Sequence, residues 1–370
     1  MTLALAGTPP RAIAGAQNAT LMAIPANTAL DLGEYQCDQP ADDAYYCESI
    51  TDYSGFVYDA AHHRFVMFGG GHSATFRDDL SMFDFATLKW ASAYPSTLCA
   101  DMILANMDKP LMRWATTGHP FSRHTYDLNV VAANTGEFLV LAGTNGRGMC
   151  TPEIDPGTGS DPFYLPKKYT AYDLSTGTWH IEDRETPWDG LASAEYDPVS
   201  GKVVILSAYG MWILDPATHT TIQALDQFSN PLATDLGYAN NLTYDPGSQR
   251  MYYFARGNPT LVFEVRLNRS DWSASTVTLL PTPGNAPNSE ESGWVYDTVN
   301  GLIGGGVSNG VFHAYNPTID DYAGKEGCTE ILLETHPDVH DLPGAEPAPR
   351  LRGGVPLAAR GAAHAGIDRQ

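Results

Sequence analysis

Residues 54–90 decide the fold that the sequence predicts. They begin SGFVYDAAHHRFVMFGGG (54–71), two short apolar runs joined by a polar turn, and they end MFDFATLKW (82–90). The second stretch returns in similar form as AYDLSTGTW (171–179). Short apolar runs with alternating character indicate strands, and a polar turn between two of them indicates a hairpin. The stretch therefore predicts one antiparallel sheet of four strands.

The first strand of this unit occurs six times, each time as an apolar run that ends in Tyr or Ile followed by Asp. The copies are FVYD (56–59), HTYD (124–127), AEYD (194–197), LTYD (242–245), WVYD (294–297) and HAGID (364–368). Repeated sheets of this size predict a β-propeller, whose ring closes to hide strand edges. The expected fold is all-β, a single propeller over residues 1–370 with six, or alternatively seven, four-stranded blades. Residues 1–50 are expected to complete the last blade, and 320–357 form a polar, Pro-rich connector.

Three features within 54–90 resemble the kelch motif: the glycines after the second strand (69–71), the Asp in the third (84) and the Trp that opens the fourth (90). The resemblance extends over about 50–316 and is strongest in 54–90. It implies a kelch-like propeller of the galactose-oxidase type. In such a fold the first strand of each blade is innermost, and loops gather at the mouth of the central channel, where sites usually lie.

The composition excludes several classes of partner. With 43 acidic and 21 basic residues the net charge is -22, which opposes binding to nucleic acid or to an anionic membrane. The sequence contains no run of 18 or more apolar residues, which a transmembrane helix would need. Cys37 could pair with Cys47, and Cys99 with Cys150, which leaves Cys328. We therefore expect a secreted or periplasmic monomer that acts on a polysaccharide or oligosaccharide.

The candidate site residues are those that each repeat places at the channel mouth. His, Tyr and Arg together can exchange protons and bind a carboxylate. The predicted catalytic residues are His72, His124, Tyr209 and Tyr238. The predicted substrate-binding residues are Tyr53, Arg123, Trp188, Asn241, Arg256 and His364. No metal or cofactor is assigned, and the recurring tyrosines (126, 196, 244, 296) and Trp90 and Trp179 are interpreted as packing residues.

These residue types favour a polysaccharide lyase that cleaves a uronic-acid glycan by metal-independent β-elimination. The architecture is similar to the propeller-fold ulvan lyases, and the resemblance assigns Tyr238 to proton transfer and Arg256 to the uronate. Other hypotheses remain open. A glycoside hydrolase is one, and a copper-radical oxidase using His72, His124 and His364 is another. A noncatalytic glycan- or protein-binding propeller is the third, because fold does not imply function.

Overall fold

The structure, a computed structural model, places five four-stranded sheets in one compact unit, Met1–Leu333. It describes residues 18–24, 54–69, 77–141, 168–180, 185–188, 192–227, 229, 232, 240–255, 261–281, 293–298, 300–308, 311–319 and 331–332. One short helix, α1 (Ala19–Met22), is capped by the Asn18 side chain, whose amide also donates to the Ala86 carbonyl in the first blade. No helix among these residues is long and apolar enough to cross a membrane.

The five sheets follow one another along the chain, and strands within each are antiparallel neighbours. Blade one contains β1 (Phe56–Asp59), β2 (Arg64–Met67), β3 (Ser81–Asp84) and β4 (Lys89–Ser92). A small hairpin, β5 (Met107–Asp108) and β6 (Arg113–Trp114), precedes blade two, which contains β7 (Asn129–Ala132), β8 (Glu137–Val140), β9 (Thr170–Asp173) and β10 (Thr178–His180). Blade three contains β11 (Ser193–Asp197), β12 (Lys202–Ser207), β13 (Gly210–Asp215) and β14 (Thr220–Asp226). Blade four contains β15 (Asn241–Asp245), β16 (Arg250–Phe254), β17 (Val262–Arg266) and β18 (Thr276–Leu279). Blade five contains β19 (Trp294–Asp297), β20 (Leu302–Ser308), β21 (Val311–Tyr315) and β22 (Ile331–Leu332).

The first strands of successive blades contact one another in the order β1, β7, β11, β15, β19, as a propeller requires. Apolar side chains fill the spaces between blades. Val203 and Trp212 belong to the core between blades two and three, and Leu206 and Met251 to the core between three and four. The described residues thus confirm a propeller, with five blades rather than the six or seven expected. The sixth repeat (364–368), the 1–50 closure and the connector 320–357 lie outside the described residues, apart from 18–24 and 331–332.

The aspartate that ends most first strands has a local role. Asp197 and Asp245 each accept hydrogen bonds from a backbone amide and a Ser hydroxyl in the turn that follows. These Asx-type turns close the hairpins, which explains why Tyr-Asp recurs. Tyr196 and Tyr244 pack against the cores between blades, as predicted.

One predicted strand is wrong. Residues 124–127 carry the Tyr-Asp signature, but the first strand of blade two is β7, which begins at Asn129. Tyr126 has a φ of 43°, in the left-handed region, so it cannot continue a strand. The segment is a loop, and its Asp127 has a different function from the turn-forming aspartates.

The two predicted packing tryptophans differ in their surroundings. Trp179 packs against Phe68 of blade one, with ring centroids 5.1 Å apart, and so lies between blades as predicted. Trp90 instead contacts Phe56 and Phe83 of its own blade.

Candidate functional site

The loop Ser122–Asp127, called the mouth loop below, lies at the face where first strands begin and second strands end. Thr125 donates its hydroxyl to the Phe68 carbonyl at 3.0 Å and accepts from the Gly55 amide at 3.2 Å. A Cβ on Gly55 would lie 2.0 Å from the Tyr126 carbonyl oxygen, and one on Gly69 would lie 2.2 Å from that of Arg123. Glycine is therefore required at both positions for the loop to approach blade one.

Arg123 attaches the mouth loop to the segment that leads into β9. Its side chain is 1 % exposed and donates to the Lys168 carbonyl at 2.9 Å and to the Thr170 hydroxyl at 3.4 Å. Burial lowers the pKa of Arg123 to about 10, which leaves the guanidinium charged at neutral pH. The side chain thus lies against the start of β9, and its predicted contact with substrate gains no support from this placement.

His124 and Tyr126 form a hydrogen-bonded pair on the mouth loop, through which a proton can be transferred. The His124 Nδ1 lies 3.1 Å from the Tyr126 hydroxyl, and the two rings meet edge to face. His124 is 8 % exposed, and Tyr126 is half-buried. A hydrogen-bonded imidazole and phenol provide one group that titrates near neutrality and one that can donate a proton.

Asp127 joins three blades at the channel. Its carbonyl accepts from the Ala194 amide at 2.9 Å, and its carboxyl accepts from the Leu242 amide and the Asn241 side chain, each at 2.8 Å. Desolvation raises the pKa of Asp127 well above its usual range, and the nearby Glu195 carboxyl raises it further. The hydrogen bonds from Leu242, Ser193 and Asn241 oppose that rise.

Glu195 is the second carboxyl at this place. Its side chain accepts from the Tyr196 amide at 2.8 Å and from the backbone of Tyr244 in the neighbouring first strand. Burial raises the pKa of Glu195 from 4.5 to about 7. No ion pair within the described residues includes Glu195 or Asp127. Two desolvated carboxyls that have no cation beside them in the described part of the chain favour the neutral form.

The structure brings together only some of the predicted site residues. His124 and Asn241 are joined through the mouth loop, because Asn241 binds Asp127. Tyr209 lies in the hairpin between β12 and β13 at the same face and is 49 % exposed. Trp188 is 1 % exposed and donates its indole N–H to the Leu141 carbonyl, so it packs between blades two and three. Tyr53, His72, Tyr238, Arg256 and His364 lie outside the described residues.

Sequence reasoning missed three residues: Tyr126, Asp127 and Glu195. Asp127 and Tyr126 were hidden by their match to the turn signature. Glu195 did carry a signal, since the other aligned first strands have Val57, Thr243 and Val295 at its position. A carboxyl at a register position that other blades fill with Val or Thr indicates a special role, because its burial is costly.

Cys99, in the insertion before blade two, forms a disulfide. It is the one cysteine among the described residues, so its partner lies outside them. The pairing with Cys150 stays a prediction. Within the described residues no three or more His, Cys, Asp or Glu side chains cluster as metal ligands would.

No protein-family model matches the chain, and no curated protein matches it. Among solved structures it is similar to a fungal alcohol oxidase of the AA5 family in complex with copper (13% identity, TM-score 0.46, covering 75% of this chain and 53% of that one). It is also similar to the extracellular domain of a hybrid two-component system from Bacteroides thetaiotaomicron (10%, 0.39, 75% and 28%). A third is an auxiliary nutrient binding protein from the same organism (10%, 0.42, 74% and 58%). The chain thus covers 53%, 28% and 58% of the lengths of these three proteins. These similarities are too distant to assign a function.

Proposed function

We propose that this kelch-like propeller is a carbohydrate-active enzyme, a polysaccharide lyase acting on a uronic-acid-containing glycan at its mouth face. The observation that carries the proposal is the contact between His124 Nδ1 and the Tyr126 hydroxyl, 3.1 Å apart on a loop at the channel mouth. Asn241 and the exposed Tyr209 on the same face supply an amide and an aromatic ring of the kind that bind sugars.

The backbone at Tyr126 supports a functional reading of the pair. A bulky residue at a φ of 43° is uncommon and costs on the order of 1 kcal/mol or more. Contacts that hold the loop in this conformation come from blades one, three and four: the Gly55 amide donates to Thr125, and the Ala194 and Leu242 amides donate to Asp127. Strain that its surroundings maintain in this way is common at functional sites.

The reaction needs a base and an acid. In the proposed step His124 takes the proton that is α to the uronate carboxylate, and the released electron pair forms a carbon–carbon double bond. The bond to the glycosidic oxygen breaks, and that oxygen receives the proton of the Tyr126 hydroxyl. The products are an unsaturated uronate end and a free hydroxyl. We assign neutralisation of the carboxylate to Arg256, as the resemblance to the ulvan lyases implies, since a planar guanidinium binds carboxylates with two hydrogen bonds.

A secreted or periplasmic location fits this proposal. Stable disulfides form in oxidising compartments, and Cys99 is in one. The net charge of -22 repels other polyanions at long range. Salt screens this repulsion beyond about 8–10 Å, so an acidic glycan would be bound by groups in direct contact with it.

The test is a screen of purified protein on a panel of uronic-acid polysaccharides, read by ultraviolet absorbance of the unsaturated product. On the best substrate, His124→Ala is expected to lower turnover about 10²–10⁴-fold, as loss of a general base does. Tyr126→Phe removes one oxygen atom and is expected to lower turnover more than it raises KM. A chelator is expected to leave activity unchanged.

Matched controls are available at the opposite end of the first strands. His62→Ala and Tyr58→Phe change exposed residues at or beyond the far end of β1, whose near end is bonded to the mouth loop through the Gly55 amide. Both variants should retain full activity. Full activity in His124→Ala and Tyr126→Phe together would exclude the pair as the catalytic centre. Binding of a glycan without any unsaturated product would favour the noncatalytic hypothesis, and inactivation by chelator would favour a metal enzyme.

A further inference from the structure

A cleft of about 530 Å³ opens between blades four and five, at the end of the first strands that lies opposite the mouth loop. Asp245, the last residue of β15, lies on its wall, whereas the first residue of that strand, Asn241, is bonded to the mouth loop. The facing wall comes from the turn after β19 and from residues 316–318, which follow β21. The cleft is therefore separate from the site proposed above.

The gap between blades three and four is built from the same parts, and there an arginine lies in it. Arg269 follows the third strand of blade four and binds the Asp197 carboxylate of blade three through Nε at 2.8 Å and Nη2 at 2.9 Å. The same Nη2 donates to the Gln249 carbonyl at 3.2 Å. This is the forked contact that a guanidinium makes with a carboxylate.

The repeat places Pro317 where blade four has Arg269. After the third strand of blade four, Asn268 accepts from the amide two residues further on, and Asn316 does the same after the third strand of blade five. The residue between the asparagine and that amide is Arg269 in one blade and Pro317 in the other. Blade five therefore lacks the side chain that enters the equivalent gap.

Asp245 keeps the acceptor without the cation. It is 4 % exposed and accepts from a turn amide at 2.8 Å and a turn hydroxyl at 2.6 Å. The corresponding carboxylates Asp59 and Asp197 each pair with an arginine, but no ion pair in the described part of the chain includes Asp245. Arg250 also lines the cleft, and it is paired with Glu264.

We propose that this cleft binds a guanidinium group from outside, as an arginine side chain or a small guanidine compound carries, with Asp245 as its acceptor. The net charge of -22 attracts such cations at long range. The Tyr296 hydroxyl is hydrogen-bonded to Asp245, so it takes up an acceptor position of the kind that Arg269 uses at Asp197. A guanidinium that enters displaces this hydroxyl, and the Tyr296 ring therefore reports on binding.

The experiment titrates ¹³C-tyrosine-labelled protein with methylguanidinium chloride at constant ionic strength. The Tyr296 signal is assigned by its loss in Tyr296→Phe. In wild-type protein it should shift and saturate, and methylammonium chloride should shift it less, because a point charge lacks the planar fork. Asp245→Asn should weaken binding about tenfold or more, since the amide can still accept in the turn but carries no charge.

Pro317→Arg copies blade four and supplies the guanidinium from within the chain. It should abolish the response of Tyr296 to methylguanidinium and raise the melting temperature, and adding Asp245→Asn should remove that gain. Ile319→Arg is the matched control. It adds the same charge two residues further on, at a position that is 43 % exposed and does not line the cleft, and it should produce neither effect.

A Tyr296 signal that does not respond to methylguanidinium, or that responds equally in wild type and Asp245→Asn, would overturn the proposal. So would a Pro317→Arg protein that binds methylguanidinium as wild type does. N-acetyl-L-arginine amide and agmatine, titrated in the same way, distinguish the two sources. Tighter binding of the first would identify an arginine side chain of a peptide, and tighter binding of the second a small guanidine compound.

Discussion

The replacement Glu195→Gln tests, through the stability of the protein, whether folding removes this carboxyl from water. The Glu195 pKa is about 7 in the folded protein and 4.5 is its ordinary value, so folding raises it. Between pH 4.5 and about pH 7, Glu195 therefore binds more protons in the folded protein than in the unfolded chain. Stability therefore falls as pH rises through that window. One pKa unit corresponds to about 1.4 kcal/mol.

The expected size follows from these two values. A rise of about 2.5 units corresponds to about 3 kcal/mol over the whole window, of which about 2–3 kcal/mol falls between pH 5 and pH 8. Glutamine has nearly the same shape, can still accept from the Tyr196 amide and carries no charge. The variant should therefore gain about 2–3 kcal/mol relative to wild type between pH 5 and pH 8. Urea unfolding followed by tryptophan fluorescence at several pH values measures this difference.

The control and the refuting result are both plain. Glu185→Gln, which removes the same charge at an exposed position, is the control for the loss of charge alone. If the difference between wild type and Glu195→Gln is flat with pH within about 0.5 kcal/mol, then Glu195 ionises as freely as in the unfolded chain. The desolvation argument would then be refuted.

Two further predictions concern how the ring is held. Gly69→Ala should be destabilised by well over the roughly 1–2 kcal/mol that a left-handed alanine costs, because its Cβ would lie 2.2 Å from the Arg123 carbonyl oxygen. Gly136→Ala is the control: this glycine also has a positive φ but has open space around it, so the variant should show the backbone cost alone. Equal melting temperatures for the two variants would contradict this prediction. Asp197 is buried and receives two hydrogen bonds from Arg269 of blade four, and these contacts hold the pKa of Asp197 below the usual 3.8. Asp197→Asn should therefore lower the free energy of unfolding at pH 7, and its difference from wild type should shrink as pH falls below 3.8. A difference that stays constant from pH 7 to pH 3 would contradict this prediction.

Much of the fold could be predicted from local pattern. The first and second strands of blades one, three, four and five lie where the repeats indicate, because hairpin chemistry and apolar alternation act within a few residues. The position of the mouth face also followed, since antiparallel pairing places the start of β11 beside the end of β12. Blade two was misplaced by a few residues, because Tyr126 and Asp127 match the turn signature.

The candidate site depended more on tertiary contacts. His124 and Asn241 could be predicted to share a face, but Arg123 and Trp188 looked equally suitable until packing showed that both are buried. Sequence patterns report which residues alternate along one strand and give no measure of how close a neighbouring blade lies. The exposure of a polar side chain therefore could not be predicted from its own repeat.

By itself the sequence determined a propeller of antiparallel sheets and an acidic net charge, because each of these follows from composition or from contacts between near neighbours in the chain. Only the tertiary structure decided that residues 122–127 leave the strand, since Gly55 and Gly69 of another blade make room for them. It alone also decided that Asp127 of blade two is hydrogen-bonded to blades three and four. These contacts depend on how the three blades pack together, and the energy of a desolvated charge is set by that packing rather than by the order of residues.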